Sequence, residues 1–449
     1  MSIKTVLFLL ALAAGCIGAL RWPLVGVLGY MGVYLIDPAS QWWTAGIPFK
    51  RYSLLSAWFL AAGVLLNWPR LARYRPRLGS FEALLAVFLA ILWLSLAIGL
   101  APTDSSWKLI DKMTKLFVFL LMFRWVVTTP RAIHAVFWCL LLGGLYVAWQ
   151  GFTAPASFYT QGRLTGLGSS DFAGANDFGI HLAATLPIAA ALLIRYRKIW
   201  QRGLIVATVV LMMNTIVQTR SRSAFLALAA GFIVAMVYSP RRYRLPLLGA
   251  AVLGVIGFVA LADPGFWQRM HTIEEGEQEA STAGRIIVWR ASLRMFRDHP
   301  LGVGIGNFDT AVQAYVAEGQ ARDTHNTYIS CYTELGVQGL LVFSLILLNT
   351  WRSLGRSAHI ARSLGEHDME LYAFALKVAL VVYLVGGITI KRIYAECFWW
   401  FVVLGPVLLH IVRGMELRRE QQLPEPISDP EPPESVGPRT PILAARRKA

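Results

Sequence analysis

The chain has 449 residues, 56% of them hydrophobic and only 15% charged, with a mean hydropathy of +0.52. A water-soluble domain has no use for that much apolar surface, so composition excludes an ordinary soluble enzyme and indicates a polytopic membrane protein. The formal net charge of +16 suggests a nucleic-acid partner, but its distribution excludes one, because the surplus sits in short turns between apolar runs.

Those runs fall at 3–20, 22–36, 53–67, 81–101, 109–127, 132–152, 179–195, 203–219, 222–239, 244–262, 328–350, 371–390 and 396–412. Several approach the ~20 residues that cross a bilayer as helix. Lipid leaves backbone groups without water partners, so spans of this kind require an all-α bundle, and no β-barrel alternation is present. We expect about twelve transmembrane helices, with 3–36 partly re-entrant or counted once too often, since thirteen spans would leave Met1 outside and twelve leave it inside. The first run ends at Arg21-Trp22-Pro23 rather than at a small-residue cleavage site, which reads as a retained span and not a signal peptide.

Basic clusters set the orientation. Arg70, Arg73, Arg75 and Arg77 form one, Arg195, Arg197, Lys198 and Arg202 a second, Arg241, Arg242 and Arg244 a third, and Arg352, Arg356 and Arg362 a fourth. Placing all four in cytoplasmic turns puts 153–178 and 263–327 outside. The expected organisation is N-terminal transmembrane helices over 1–262, a large outer loop over 263–327, C-terminal transmembrane helices over 328–412 and a disordered cytoplasmic tail over 413–449. That tail is rich in Pro and charge and cannot bury enough surface to offset its ordering entropy. The outer loop holds six Arg and no Lys against nine Asp and Glu, so it is net negative. Cys16, Cys139, Cys331 and Cys397 lie in expected spans without metal-ligand spacing and read as packing residues.

Polar residues at expected helix ends carry the functional reading. Asn176, Asp177 and His181 open a span after the Gly-rich stretch "GRLTGLGSSDFAGAND", either as caps and packing or as cavity residues. Arg163, in that stretch, faces either lipid headgroups or the cavity. Arg220 and Arg222, in "QTRSRSAF", stand at the outer junction of two apolar helices; a cation at such a depth snorkels or meets an anionic ligand. Within 263–327, Ile286, Trp289, Leu293 and Phe296 recur at helical spacing, with Arg290, Arg294 and Arg297 on another face. This predicts an amphipathic helix on the membrane surface, started by Ser281 or Thr282 and ended by Pro300. Arg285 then falls in the first turn, beside unpaired N–H groups, a combination suited to a phosphate or pyrophosphate. Gly302, Gly304 and Gly306 follow no strand and predict a tight turn rather than a dinucleotide site. His325, beside Asn326 and just before a helix start, has the proton affinity a general base needs near neutral pH, while Asn326 would cap the helix or orient the ring. Lys112, Lys115, Lys377 and Lys391 sit in or beside spans without an evident partner.

Together, "QTRSRSAFLALAAG", "GRIIVWRASLRMFRDHPLGVGIGNF" and "DTHNTYISCYTELGVQGLLVF" resemble, in order, the signatures of the O-antigen ligase and polymerase superfamily: Ser-Arg-Ser at a span start, Gly-Arg with Trp four residues after the Arg, Pro-x-Gly-x-Gly-x-Gly, and His-Asn before Glu-x-Gly-x-x-Gly. "GRLTG" followed by "AND" is similar to a further family block, and "RWPLVGVLGYMGVYLIDP" to ligase-like members of exopolysaccharide and exosortase systems. The resemblance covers roughly residues 160–345. It implies a GT-C-like glycosyltransferase with a periplasmic active site in the bacterial inner membrane, acting on a glycan carried by undecaprenyl pyrophosphate among membrane lipids, with no cofactor and no metal. Carried over by position, Arg222, Arg285 and His325 match the family's two basic positions and its histidine; Arg220 adjoins the first. Arg163, Asn176, Arg290 and Asn326 are expected to bind substrate. The acceptor would be lipid A-core for a ligase, a carrier-linked repeat unit for a polymerase, or a protein hydroxyl for an oligosaccharyltransferase. The absence of a large C-terminal outer domain favours the ligase. A transporter of an anionic solute is the reading from a different class, and it would call for broken helices or charges at mid-membrane.

Overall fold

A computed structural model describes residues 2–76, 78–167, 170–239, scattered positions between 244 and 259, and 277–421. The described chain is helical apart from one small hairpin. In order come α1 (Ile3–Arg21), α2 (Pro23–Ile36), α3 (Tyr52–Leu66), α4 (Ser80–Ile98), α5 (Asp104–Val126), α6 (Pro130–Phe152), α7 (Ala175–Arg195), α8 (Ile199–Gln218), α9 (Arg222–Tyr238), α10 (Glu277–Asp298), α11 (Thr327–Leu364), α12 (His367–Gly386) and α13 (Glu396–Glu420). Eight of the described helices are long and apolar enough to cross a membrane: α1, α4, α6, α7, α8, α11, α12 and α13. The chain is therefore an all-α multi-pass membrane protein. Most of the run 244–262, and the tail beyond Gln421, lie outside the described residues.

Local chemistry fixes the helix starts. Thr129 accepts from the Ala132 N–H and Pro130 occupies the first helical position of α6, where its missing donor costs nothing. Thr103 and Ser106 form a reciprocal capping box at α5. Pro23 divides the first apolar stretch into α1 and α2. At the centre stands α13, with 83% of its apolar window buried, whereas α1, with 17%, is left at the lipid edge. Trp399 and Trp400 on α13 are fully buried among Phe88 of α4, Phe117 and Phe119 of α5 and Tyr34 of α2.

Three of the four basic clusters lie at one end. Arg195 pairs with Asp368 at 2.9 Å and Arg362 with Glu370 at 2.7 Å, both at the start of α12, while His410 near the end of α13 bonds the Tyr74 carbonyl at 2.8 Å. Arg352, Arg356 and Arg362 were expected in a turn; they lie instead on α11, which continues to Leu364 before Gly365 ends it in the left-handed region. Nothing in that polar stretch breaks a helix, so it runs on past its apolar run.

Gly336 interrupts α11 with φ 72° and ψ −171°. Into this break fits the glycine turn 302–306. The Val303 and Gly304 N–H groups donate to the Thr333 and Glu334 carbonyls at 2.9 Å, and Val337 N–H donates to the Pro300 carbonyl at 3.1 Å. Gly302, Gly304 and Gly306 all have positive φ, as the expected tight turn requires. On its other side the turn is held by α4 and α5: Leu100 N–H reaches the Val303 carbonyl at 2.9 Å, and Ser106 Oγ donates to Asn307 Oδ1 at 3.0 Å. Irregular backbone inside a bundle persists only where its polar groups are satisfied, and here the two breaks satisfy each other. The broken helix named above as a transporter feature is thus present, but it is filled by the protein's own backbone.

Candidate active site

Hydrogen bonds draw several helix starts to one face. Asn176, next to the first residue of α7, accepts from Arg163 Nη2 at 2.6 Å and from Ser221 Oγ, the cap of α9, at 2.7 Å. Arg163 also donates to the Thr219 carbonyl at 3.1 Å. It is presented by a hairpin, Tyr159–Thr160 against Arg163–Leu164, whose turn residues Gln161 and Gly162 both have positive φ. Arg163 is therefore committed to joining the starts of α7 and α9. Arg220, at φ 46°, lays its guanidinium over Gly162, and Arg222 opens α9. Asn176 is not the cap of α7; Gly174 holds that position and Asp177 closes the capping box.

A second group forms around His325. Its backbone is left-handed at φ 45°, a conformation that costs a non-glycine residue about 1–2 kcal/mol and persists only where its surroundings impose it. The surroundings are visible. Asn326 N–H donates to Thr324 Oγ1 at 3.2 Å, and Trp289 Nε1 on α10 donates to the Thr324 carbonyl at 3.0 Å. Asn326 caps α11, accepting from Tyr328 and Ile329 N–H, and its Nδ2 donates to the Ile388 carbonyl at 3.0 Å. The capping role expected of it is thus in place. The His325 side chain is 50% exposed, so its ring is open to a ligand, and Asp323 Oδ2 lies 3.9 Å from Nδ1. Enclosure by surrounding protein and the nearby charges of Arg285 and Arg322 hold its pKa below the usual imidazole value, against the opposing pull of Asp323 and Asp309. Neutral at pH 7, the ring is ready to accept a proton.

One expectation for α10 needs correction. The helix begins at Glu277, because Glu, Gln and Ala extend it, so Ser281 and Thr282 lie inside it and Arg285 is not in the first turn. The macrodipole argument for Arg285 falls with this. Of the expected apolar face, Ile286 and Leu293 are exposed beside Arg290, Arg294 and Arg297, while Val288, Ala291, Ser292 and Met295 are buried. The loop covers the opposite face, with Phe308, Ala311 and Val312 packing on Val288 and Met295. Arg290 thus points away from the core, whereas Arg285 is half-buried, with its pKa lowered by that burial.

Sequence reasoning left out a set of buried and half-buried charges beneath this face. Arg392 Nη1 donates to the Asp171 carbonyl at 2.8 Å, its Nη2 pairs with Asp177, and its backbone N–H donates to Thr327 Oγ1 at 2.9 Å. One residue thereby connects the α7 start to the α11 start, and so the Asn176 group to the His325 group. Lys112 pairs with Asp171 at 2.6 Å, and Lys391 with the fully buried Glu334 at 2.6 Å. Glu334 also accepts from Tyr394 and, at 3.2 Å, from the Gly306 N–H. Lys112 and Lys391 are two of the lysines without evident partners in the sequence; their partners lie 59 and 57 residues away.

The fold is that of a polytopic helical membrane protein, and this face gathers several helix starts, with Arg163, Arg220, Arg222, Asn176, Arg285 and His325 among its residues. Residues 207–344 match the family model described as O-antigen ligase. The matched segment contains Arg220, Arg222, Arg285, Arg290, His325 and Asn326 and ends just past the break in α11; Arg163 and Asn176 precede it. A search of curated proteins finds no match. The family supports a glycosyl-transfer enzyme working on polysaccharide and lipid-linked substrates in a membrane.

Proposed function

We propose that the chain is an O-antigen ligase, transferring a glycan from undecaprenyl pyrophosphate to a sugar hydroxyl of lipid A-core at the periplasmic face of the bacterial inner membrane. The observation that carries the reading is the His325 loop, pinned by Trp289 to the helix that supplies Arg285, so that a neutral base and a cation converge from two elements held in fixed register. His325 removes the proton from the acceptor hydroxyl, and the oxygen attacks the anomeric carbon of the donor. The bond from that carbon to the pyrophosphate oxygen breaks, and Arg285 and Arg222 stabilise the charge on the departing diphosphate. A single displacement inverts the anomeric centre. In this scheme guanidinium groups carry the countercharge, and transfer proceeds without added metal. Arg163 and Asn176 set the position of the α9 start, and with it Arg222, while Arg220 and Arg290 meet the donor's phosphates or the surrounding headgroups.

The test is transfer by the purified protein in detergent with EDTA, from an undecaprenyl-pyrophosphate-linked glycan to lipid A-core. Capping of lipid A-core that His325→Ala and Arg285→Ala abolish supports the ligase. Carrier-linked chains that lengthen without capping would identify a polymerase instead. Full transfer by both variants would sink the mechanism.

A further inference from the structure

Arginines across this face are mostly committed: Arg163, Arg392 and Arg294 bond Asn176, Asp177 and the Tyr315 carbonyl. Arg285 and Arg322 differ. Among the described residues neither has an ion pair or hydrogen bond. Arg322 reaches back from the loop before His325 so that its Nη1 would lie 3.4 Å from a Cβ placed on Gly284, over the residue that precedes Arg285. Of the carboxylates around His325, Glu334 is paired with Lys391, while Asp323 and Asp309 act on the ring itself. Both guanidiniums bear on His325, and both oppose its protonation.

Two like charges held on neighbouring elements without a counter-ion repel each other, and an anion between them removes the repulsion and fills two donor forks at once. A diphosphate fits that demand, since it offers several non-bridging oxygens and more than one negative charge. We propose that Arg322 is a substrate-binding residue that grips, together with Arg285, the diphosphate of the lipid-linked donor. This rests on the ligase reading for the identity of the donor. For the base, a bound diphosphate would offset the charges of Arg285 and Arg322, which after burial hold His325 down, and would so raise the ring's affinity for a proton. The order of events would then be donor first, deprotonation of the acceptor second.

The experiment is a titration of the purified wild-type protein in detergent with undecaprenyl pyrophosphate, followed by thermal shift, and repeated with Arg322→Gln, Arg322→Lys and Arg285→Gln. Arg322 is exposed, so its variants should fold. Arg322→Gln is expected to weaken binding roughly tenfold to a hundredfold, the loss of a charge-assisted pair, with partial recovery in Arg322→Lys. Equal binding by wild type and Arg322→Gln, with weakened binding by Arg285→Gln, overturns this inference and leaves the ligase reading standing. No binding of undecaprenyl pyrophosphate by the wild type overturns both. An Arg322-dependent response of the same size to phosphatidylglycerol would show a headgroup site and overturn the donor assignment.

Discussion

Gly302→Ala probes the joint between the glycine turn and the break in α11. Gly302 has φ +94°, and a Cβ built there lies 2.5 Å from the Glu334 carbonyl oxygen and 2.6 Å from the Gly336 nitrogen, both backbone atoms that cannot swing aside. The left-handed backbone alone costs an L-residue about 1–3 kcal/mol, and forcing one more carbon into a packed interior costs about 1–3 kcal/mol. A total of roughly 2–6 kcal/mol follows if the two add. Relief would require the turn to withdraw, which would strip the Thr333 and Glu334 carbonyls of their donors inside the bundle. The segment 327–335 would then lose its anchor just after His325, so transfer should fall together with stability. Gly319→Ala serves as the control: φ is +76° there, but nothing lies within 4 Å of the added carbon. Thermal unfolding in detergent should place Gly302→Ala well below Gly319→Ala, with transfer lost only in the former. Equal unfolding temperatures for the two variants would refute the claim that backbone crowding, rather than φ alone, fixes this joint.

Removing the Trp289 donor with Trp289→Phe leaves the Thr324 carbonyl unpaired, at about 1 kcal/mol of stability. The rate should fall further, on the order of tenfold or more, because a base displaced by a fraction of an ångström misses its proton; kcat and unfolding temperature, compared side by side, check this, and a loss confined to stability would count against the pinning role. The acid limb of the kcat/KM profile should lie below ~6.5, because His325 is held below the usual imidazole value and activity appears only as rising pH deprotonates it. Asp323→Asn should move that limb down and Arg322→Gln should move it up; shifts in the same direction would remove His325 as its source. Lys391→Met strands the buried Glu334 carboxylate and should cost about 3–5 kcal/mol, part of which the double variant with Glu334→Gln recovers in unfolding measurements.

Membrane class and helix identity were legible because hydrophobic length is a property of contiguous sequence. The His-Asn start of α11, the glycine turn and the end of α10 at Pro300 were legible for the same reason: capping and φ preference act over a few residues. What could not be read was any pairing across the bundle. Lys112 gave the signal of a charge without a partner, but Asp171 sits in a Gly-rich loop where an acidic residue draws no notice. Arg322 was passed over because an arginine in a polar loop is ordinary; only its position over Gly284 sets it apart. The start of α10 was misplaced because Ser281 and Thr282 are good caps, yet "EQEA" before them forms helix better than they stop it. Its loop-covered side was not read, because both sides of the helix carry apolar residues.

The charges at the site face divide by burial, and that division bears on how the enzyme works. Asp171, Asp177 and Glu334 each lie against a cation, Lys112, Arg392 and Lys391 respectively. A buried ion pair adds little net stability, since desolvation consumes most of the attraction, but separating its members is costly. Such pairs therefore act as geometric locks. Through Arg392 they fix the start of α7 against the start of α11, which sets the Arg222 group in register with the His325 group. Stabilising a departing diphosphate demands donors already in place when charge develops, because donors that must reorganise give back much of what they stabilise. Arg322 stands over Gly284, the residue before Arg285, on this locked framework. On the proposed reading, the paired charges hold the frame, and Arg285 and Arg322 meet the substrate.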